Sequence, residues 1–244
     1  MVLSYDLDKI KFATDKPTFD KAVGLYEDGR VIDFKMEMGG FSAIVEGGSS
    51  YRVTVSARRY DEGDCDCYLG QEGTLCKHMV AVAIMAILKG KKIDEKDKKV
   101  VSAPTSSGQQ RELSKKEISD VKKSISSAVK YIKSYNGPSR IWFAYQNSLS
   151  EGCNRLSAIV SELPVGKQSA EILVKTLLKL DDKLCRSGVD DSDGTVGGFI
   201  GEAVNVLEEY AKIDPNCAKT FKELEGKETC FGWEEPLLKI IDKK

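Results

Sequence analysis

The sequence predicts an α+β protein in which an antiparallel β-meander and one buried helix are followed by an all-helical domain. Between positions 22 and 58, apolar residues alternate with polar ones and glycine pairs interrupt the pattern, which is typical of strands joined by tight hairpins. After position 112, apolar residues recur every three or four positions, which is the period of amphipathic helices. The change of pattern predicts two domains.

The first part of the chain is expected to form four antiparallel strands, near residues 22–27, 30–38, 41–47 and 50–58. In the second strand the apolar residues occupy alternate positions and predict one buried face, made of Ile32, Phe34, Met36 and Met38. Three pairs supply the glycine that tight hairpins favour, namely Asp28-Gly29, Gly39-Gly40 and Gly47-Gly48. Residues 1–17 are expected to be a loosely ordered lead-in.

A helix over residues 77–89 is expected after the meander, because Met79 to Leu88 form an unbroken apolar run. Such a helix has no polar face, so it should be buried on most sides. The chain then alternates lysine with acidic residues and continues into a stretch rich in serine, which is typical of a linker. We therefore predict a first domain at 18–92, a linker at 93–112 and an all-helical domain at 113–242.

The helical domain opens with a local start signal. Ser114 and Glu117 have the spacing of a capping box, and Leu113 with Ile118 have that of a hydrophobic staple. Pro138 suits the first turn of the next helix. The later helices each carry one apolar stripe, so they should pack on one another.

The only histidine of the chain, His78, lies close to three of the seven cysteines. The segment reads Cys65-Asp66-Cys67, then eight residues, then Cys76-Lys77-His78. In an extended chain residues i and i+2 point to the same side, so the first two cysteines can hold one ion together. Three thiolates and one imidazole form a complete tetrahedral ligand set for zinc. The sequence therefore predicts one structural Zn²⁺, held by Cys65, Cys67, Cys76 and His78.

Other interpretations of this segment are weaker. Ordinary core cysteines would not be expected to gather beside the only histidine. A Cys–His hydrolase dyad through His78 would leave the neighbouring cysteines unexplained. An enzyme acting through acidic C-terminal residues is a third, weaker hypothesis. The chain also lacks a phosphate loop, a dinucleotide fingerprint and a nucleophile elbow. We therefore expect a binding module that is not an enzyme.

These residues resemble the SWIM zinc finger, whose pattern is C-x-C, a variable loop and C-x-H. The apolar helix Met79–Leu88 and the hairpins before the finger are similar to those of prokaryotic members, and Asp190–Gly194 followed by Gly197 resembles their helical tails. The resemblance implies zinc binding by the four residues above and a role in binding DNA or protein. The chain carries no ATPase, nuclease or kinase domain, so any catalysis would come from a partner.

The net charge is -1, but it is unevenly distributed. The segment Lys89–Arg140 contains 14 Lys and Arg against 6 Asp and Glu, whereas Asp181–Lys244 contains 9 against 15. The basic middle is where a local contact with nucleic acid would be expected. The resemblance to the SWIM finger makes nucleic acid, with DNA first, the leading class of partner. The expected contact residues are Arg58, Arg59, Lys77, Lys89, Lys91 and Lys92. The alternatives left open are a solvated basic face and a protein-interaction adaptor that docks a partner enzyme.

The remaining features point to a cytoplasmic protein with neither a membrane nor a small-molecule partner. The first twelve residues lack an apolar signal region, and the longest apolar run is only ten residues. No disulfide framework is expected, and Cys153, Cys185, Cys217 and Cys230 are predicted to be small core residues. The segment Asp190–Gly194 does not fit a calcium loop and is expected to cap the helix that begins near Thr195.

Overall fold

A computed structural model describes residues 3–138 and 142–242. The chain forms two compact units, Met1–Val100 and Val101–Lys244. The boundary between them falls inside the predicted linker. Ile93 and Val100 are buried in the core of the first unit, and Gln110 forms an isolated bridge with Val165 in the second.

The first unit is a three-stranded antiparallel sheet packed with helices. Its strand order is β1-β2-β3, and the central helix α4 contacts all three strands as well as α1 and α2. Its elements, in chain order, are α1 (Leu7–Ala13), α2 (Lys16–Glu27), β1 (Val31–Glu37), β2 (Gly40–Glu46), β3 (Ser50–Ser56), α3 (Tyr68–Gln71), α4 (Lys77–Leu88) and α5 (Glu95–Lys98).

The strand predicted at 22–27 is wrong, because these residues belong to α2. Asp15 caps this helix by accepting a hydrogen bond from the Thr18 N–H at 2.9 Å, and a proline occupies the first turn. Four of the five buried residues of α2 recur with helical spacing: Phe19, Ala22, Val23 and Tyr26. Residues 7–13, expected to be part of the lead-in, form α1.

The predicted buried face of β1 is also wrong. A β-bulge lies between Ile32 and Lys35, and Asp33 there has a φ of 51°. The extra residue reverses the alternation, so Val31 is buried while Ile32 faces outward. Phe34 stacks on the buried Phe41 with ring centroids 5.5 Å apart. Met36 and Met38 remain exposed at the end of this edge strand.

The second unit is helical throughout its described secondary structure, apart from the bridge at Gln110. Its elements are α6 (Lys115–Val129), α7 (Trp142–Glu162), α8 (Lys167–Arg186), α9 (Thr195–Ile213), a 3₁₀ helix (Cys217–Leu224) and α10 (Glu235–Asp242). The capping box of α6 is confirmed by reciprocal hydrogen bonds between Ser114 and Glu117. The sequence places the start of α7 near Pro138, and residues 139–141 lie outside the described residues.

The loop before α9 caps that helix, as predicted. One Asp191 carboxylate oxygen accepts the N–H of Val196 at 2.8 Å, and the other accepts the N–H of Gly197 at 2.8 Å. Asp190 accepts the indole N–H of Trp142 at 2.9 Å, which ties the same loop to α7. The two carboxylates are therefore engaged within the fold.

The prediction for the C-terminal cysteines is wrong for one pair. Cys185 and Cys230 are exposed and form a disulfide that joins α8 to the segment before α10, with their Cα atoms 6.0 Å apart. The buried Asp181 holds the same segment, because its carboxylate accepts the Cys230 N–H at 2.8 Å and the Trp233 indole N–H at 2.9 Å. Cys153 and Cys217 are buried and unpaired, as expected for core residues. Among the described helices, none has the length and apolar character needed to cross a membrane.

Candidate zinc centre

The four predicted ligands come from the loop after β3 and from the start of α4. Cys65 is fixed beside the sheet by an isolated antiparallel bridge to Val53. Cys67 precedes the short helix α3, and its sulfur accepts the Gly70 N–H at 3.4 Å. Cys76 is the N-cap of α4, and His78 lies in the first turn of that helix. The segment beside the sheet edge therefore positions Cys65 and Cys67, and the start of α4 positions Cys76 and His78.

The four side chains converge on one point. Their donor atoms all lie within 4.8 Å of one another. The His78 Nδ1 atom is 3.7 Å from the Cys65 sulfur and 3.8 Å from the Cys76 sulfur. In a tetrahedral zinc site with Zn–S near 2.3 Å and Zn–N near 2.0 Å, a sulfur and a nitrogen ligand are about 3.6 Å apart. The observed spacing fits this geometry with only small adjustments.

The ligand set is buried and the orientation of the histidine ring is fixed by packing. All four ligands are buried, and the His78 ring stacks on Tyr51 with centroids 4.4 Å apart and an interplanar angle of 28°. Because Nδ1 faces the thiols, it is the nitrogen that would bind zinc. The Nε2 atom is buried and has no hydrogen-bond partner among the described residues. Gly47 gives this nitrogen room, since a Cβ there would lie 3.3 Å from it.

The electrostatics of the thiols suit a metal site. A hydrogen bond from the Cys65 thiol to the Cys76 sulfur lowers the pKa of Cys76 and raises the pKa of Cys65. A further hydrogen bond from His78 and one from the Met79 N–H also lower the pKa of Cys76. Such N–H groups at a helix start stabilise a thiolate. One thiolate is therefore formed readily, and a divalent cation would take the place of the remaining protons.

The donor chemistry fits zinc in a structural site. Three sulfurs and one imidazole nitrogen fill a tetrahedral shell, so all four positions are occupied by protein side chains. In catalytic zinc sites one position stays open for water, and this donor set leaves none.

Comparison with known proteins agrees with this geometry. Residues 51–87 match the family model of the SWIM zinc finger. This part of the chain is a SWIM zinc finger. The matched segment begins in β3 with Tyr51 and ends within α4, so it includes all four ligands and the ring that stacks on His78. No match was found among curated proteins or among solved structures.

The residues predicted to contact nucleic acid are spread along the first unit. Arg58 and Arg59 follow the end of β3, Lys77 lies at the start of α4, and Lys89, Lys91 and Lys92 follow its end. Since α4 has twelve residues, its ends are about 18 Å apart. Arg59 already pairs with Asp61 at 2.8 Å and with Glu62 at 3.1 Å, so its charge is partly neutralised.

The sequence pattern singled out the four clustered side chains and a glycine-containing loop between the two pairs, but not the contacts that other residues make with the cluster. Tyr51, Gly47 and Gly70 each lie against a ligand, and none belongs to the C-x-C or C-x-H pattern. A Cβ on Gly70 would meet the Cys65 carbonyl oxygen at 2.3 Å, which explains a glycine between the two ligand pairs. Gly70 is visible in the sequence, but its close contact with Cys65 depends on how the loop between the two ligand pairs turns back.

The purified protein is expected to carry one zinc ion per chain, because the four donors form one closed site. Native mass spectrometry under reducing, chelator-free conditions should show this ion. The double variant Cys76→Ala, His78→Ala should lose it, because two ligands cannot retain a tetrahedral ion tightly. Cys153→Ala is the matched control, since it removes a buried thiol of the second unit and should keep the metal. A wild-type chain without zinc, or a double variant that retains it, would contradict the assignment.

Proposed function

We propose that the protein is a non-enzymatic, zinc-dependent module that binds nucleic acid, with DNA as the leading partner. The observation that carries this proposal is a set of cations that make no internal ion pair in the first unit, Met1–Val100. Because this unit contains the zinc finger, we call it the finger unit. Arg58, Lys77, Lys89, Lys91 and Lys92 make no ion pair with any described residue of the chain. Cations that have no internal partner can neutralise phosphates and release the counterions bound to them.

Three of these cations are close together. Lys89 ends α4 in a left-handed conformation with a φ of 52°, and Gly90 continues the turn with a φ of 83°. Lys91 and Lys92 follow at once, so three exposed ammonium groups lie within four positions of the chain. Their contacts would be to phosphates, and binding should therefore depend little on base sequence.

Zinc supports this function through structure. The ion would join the sheet edge to the start of α4, and α4 carries the lysine cluster at its other end. Losing the metal would therefore displace the cations without removing any of them. The only histidine of the chain belongs to the zinc site, so no imidazole remains for acid–base catalysis.

Binding to DNA should be salt-sensitive and should weaken when Arg58, Lys91 and Lys92 are neutralised. The triple variant Arg58→Ser, Lys91→Ser, Lys92→Ser should lower the slope of log K against log salt by roughly 0.7 to 0.9 per lost phosphate contact. Fluorescence anisotropy with single- and double-stranded oligonucleotides measures the slope. The control variant Lys16→Ser, Lys21→Ser, Lys35→Ser makes the same charge change at other exposed positions of the unit and should bind almost as wild type does. If the two variants lost DNA affinity equally, DNA binding would not depend on a defined surface of the unit.

A second candidate function, a protein-interaction adaptor, is favoured by the outer surface of the finger. Tyr68 is 77% exposed and Leu69 is 45% exposed on α3. Exposed acidic residues flank them in the chain, at Asp64, Asp66 and Glu72. Aromatic side chains are enriched at protein interfaces, whereas acidic groups repel phosphates. If the wild-type protein binds neither DNA nor RNA at low salt, the adaptor replaces the nucleic-acid proposal.

A further inference from the structure

The exposed side of α6 is a basic surface built from only two residue types. Successive residues of a helix are rotated by about 100°, and on this basis eight residues of α6 and its C-cap fall within an arc of about 140°. All of them are exposed. Six of them line a shallow groove along the helix. This α6 face consists of Lys115, Lys116, Ser119, Lys122, Lys123, Ser126, Ser127 and Lys130.

The opposite side of α6 is fixed in the core of the second unit. Ile125, Ala128 and Val129 are buried there, and Ile118 and Val121 pack against the same core. A basic helix that binds a membrane inserts its apolar side between the lipids. Here that side is occupied by the protein's own core, so the basic face is presented on a rigid support and the helix cannot insert.

The charge of the α6 face is little compensated within the chain. Lys123 is 3.9 Å from the Asp120 carboxylate, and both side chains are largely exposed, so the pair is weak. Glu117 is engaged by Arg111 at 2.9 Å and by the capping box. Lys115, Lys116, Lys122 and Lys130 have no ion pair with any described residue. Four of the five ammonium groups are therefore open to an external anion.

The positive charge of the second unit is concentrated at this place. Residues 111–133 contain 7 Lys and Arg against 3 Asp and Glu, whereas residues 134–244 contain 14 against 18. The unit is neutral in total but polarised along its sequence. A field of this kind attracts a polyanion to α6 and disfavours it near the acidic C-terminal segments.

The residue types on the α6 face identify the class of partner. Lysine and serine are both depleted in the cores of protein–protein interfaces, and the face has no aromatic or apolar anchor. Lysine and serine are, by contrast, common donors to phosphate oxygens. We propose that the α6 face is a second contact surface for the sugar-phosphate backbone of nucleic acid. This inference rests on the proposed nucleic-acid binding and assigns a surface for it outside the zinc finger.

The spacing of the lysines sets the length of the contact. Lys116, Lys123 and Lys130 recur every seven residues, so neighbouring members are about 10.5 Å apart along the helix. Phosphates follow one another at about 3.4 Å of axial rise on one strand of a duplex. The row therefore covers about six nucleotides, and oligonucleotides of about 20 nucleotides are long enough to test it. Contacts of this kind do not read the bases.

The test compares three variants of the full-length, zinc-loaded protein, each with three cations replaced. The α6 variant is Lys116→Gln, Lys123→Gln, Lys130→Gln. The control variant, Lys175→Gln, Lys179→Gln, Lys212→Gln, makes the same charge change at exposed positions of α8 and α9. The third is the Arg58, Lys91, Lys92 variant of the finger unit. Circular dichroism and zinc content verify that each is folded.

In the α6 variant, the slope of log K against log salt should be smaller in magnitude than in wild type by roughly 2 to 3. At 50 mM salt its binding should be about tenfold weaker for each contact that is lost. The control variant should keep the wild-type slope and affinity. Polyglutamate, used as a competitor at equal charge concentration, should displace the oligonucleotide poorly, since regularly spaced phosphates are the expected partner.

Three results would overturn the inference without touching the proposed function. In the first, the α6 variant binds like wild type while the finger variant loses binding. In the second, the α6 and control variants lose the same amount of affinity. In the third, polyglutamate displaces the oligonucleotide as effectively as unlabelled DNA does. The last result would assign the α6 face to an acidic protein segment. If wild type binds no nucleic acid at low salt, the inference and the proposed function both fail.

Discussion

Cys67→Ser should unfold the first unit and leave the second unit folded. Structural zinc contributes roughly 10–16 kcal/mol of apparent binding free energy in small domains, and this energy becomes folding energy. The free energy of unfolding of an ordinary domain is about 5–15 kcal/mol. Losing most of the zinc contribution would therefore remove more free energy than the remaining contacts supply. The fully apolar run Met79–Ile84 would then lose its cover and promote aggregation.

The positions of the tryptophans allow the two units to be observed separately. The chain has two tryptophans, Trp142 and Trp233, and both lie in the second unit. In Cys67→Ser, tryptophan fluorescence should therefore report an unchanged melting transition, while far-UV circular dichroism shows reduced helix content and light scattering rises. Cys153→Ser is the control, because this buried thiol belongs to the second unit and its change should affect the fluorescence transition and not the zinc content. A Cys67→Ser protein that melts like wild type by both signals would show that the zinc role is wrong.

The ligand set could be predicted because its chemistry is rare in the sequence. The chain has only one histidine, and three cysteines lie close before it, so few combinations of metal ligands were possible. Helix α4 was equally clear, since an unbroken apolar run of this length is longer than most strands and fits a buried helix. The capping box at Ser114 is a local signal that needs no knowledge of tertiary structure, and both of its hydrogen bonds are present.

The errors arose where tertiary context decides between similar local patterns. In α2 the apolar residues fit a short strand almost as well as a helix, and the cap at Asp15 was the signal that distinguishes them. In β1 a single extra residue at the bulge reverses which side chains face the core, and alternation alone does not reveal a bulge. Cys185 and Cys230 are 45 residues apart in the chain, so their pairing depends on how α8 and the C-terminal segment pack.

Gly70→Ala should weaken zinc binding although Gly70 is not a ligand. A Cβ at this position would lie 2.3 Å from the Cys65 carbonyl oxygen and 2.6 Å from the Cys65 Cβ, and neither neighbour is the end of a flexible side chain. The loop would have to move, which displaces Cys65 and disturbs the hydrogen bond from the Gly70 N–H to the Cys67 sulfur. Changes to residues that position metal ligands typically reduce metal affinity by about 10- to 100-fold.

Gly24→Ala is the matched control for this effect. Gly24 lies inside α2, and a Cβ there would meet nothing within 4 Å. Alanine is more favourable than glycine inside a helix by roughly 0.5–1 kcal/mol, so this variant should be as stable as wild type or more so, with unchanged zinc affinity. Competition with a chromophoric chelator measures both affinities under the same conditions. If Gly70→Ala held zinc as tightly as Gly24→Ala, the close packing of α3 on Cys65 would not be needed for the site, and the two pairs of ligands would be sufficient by themselves.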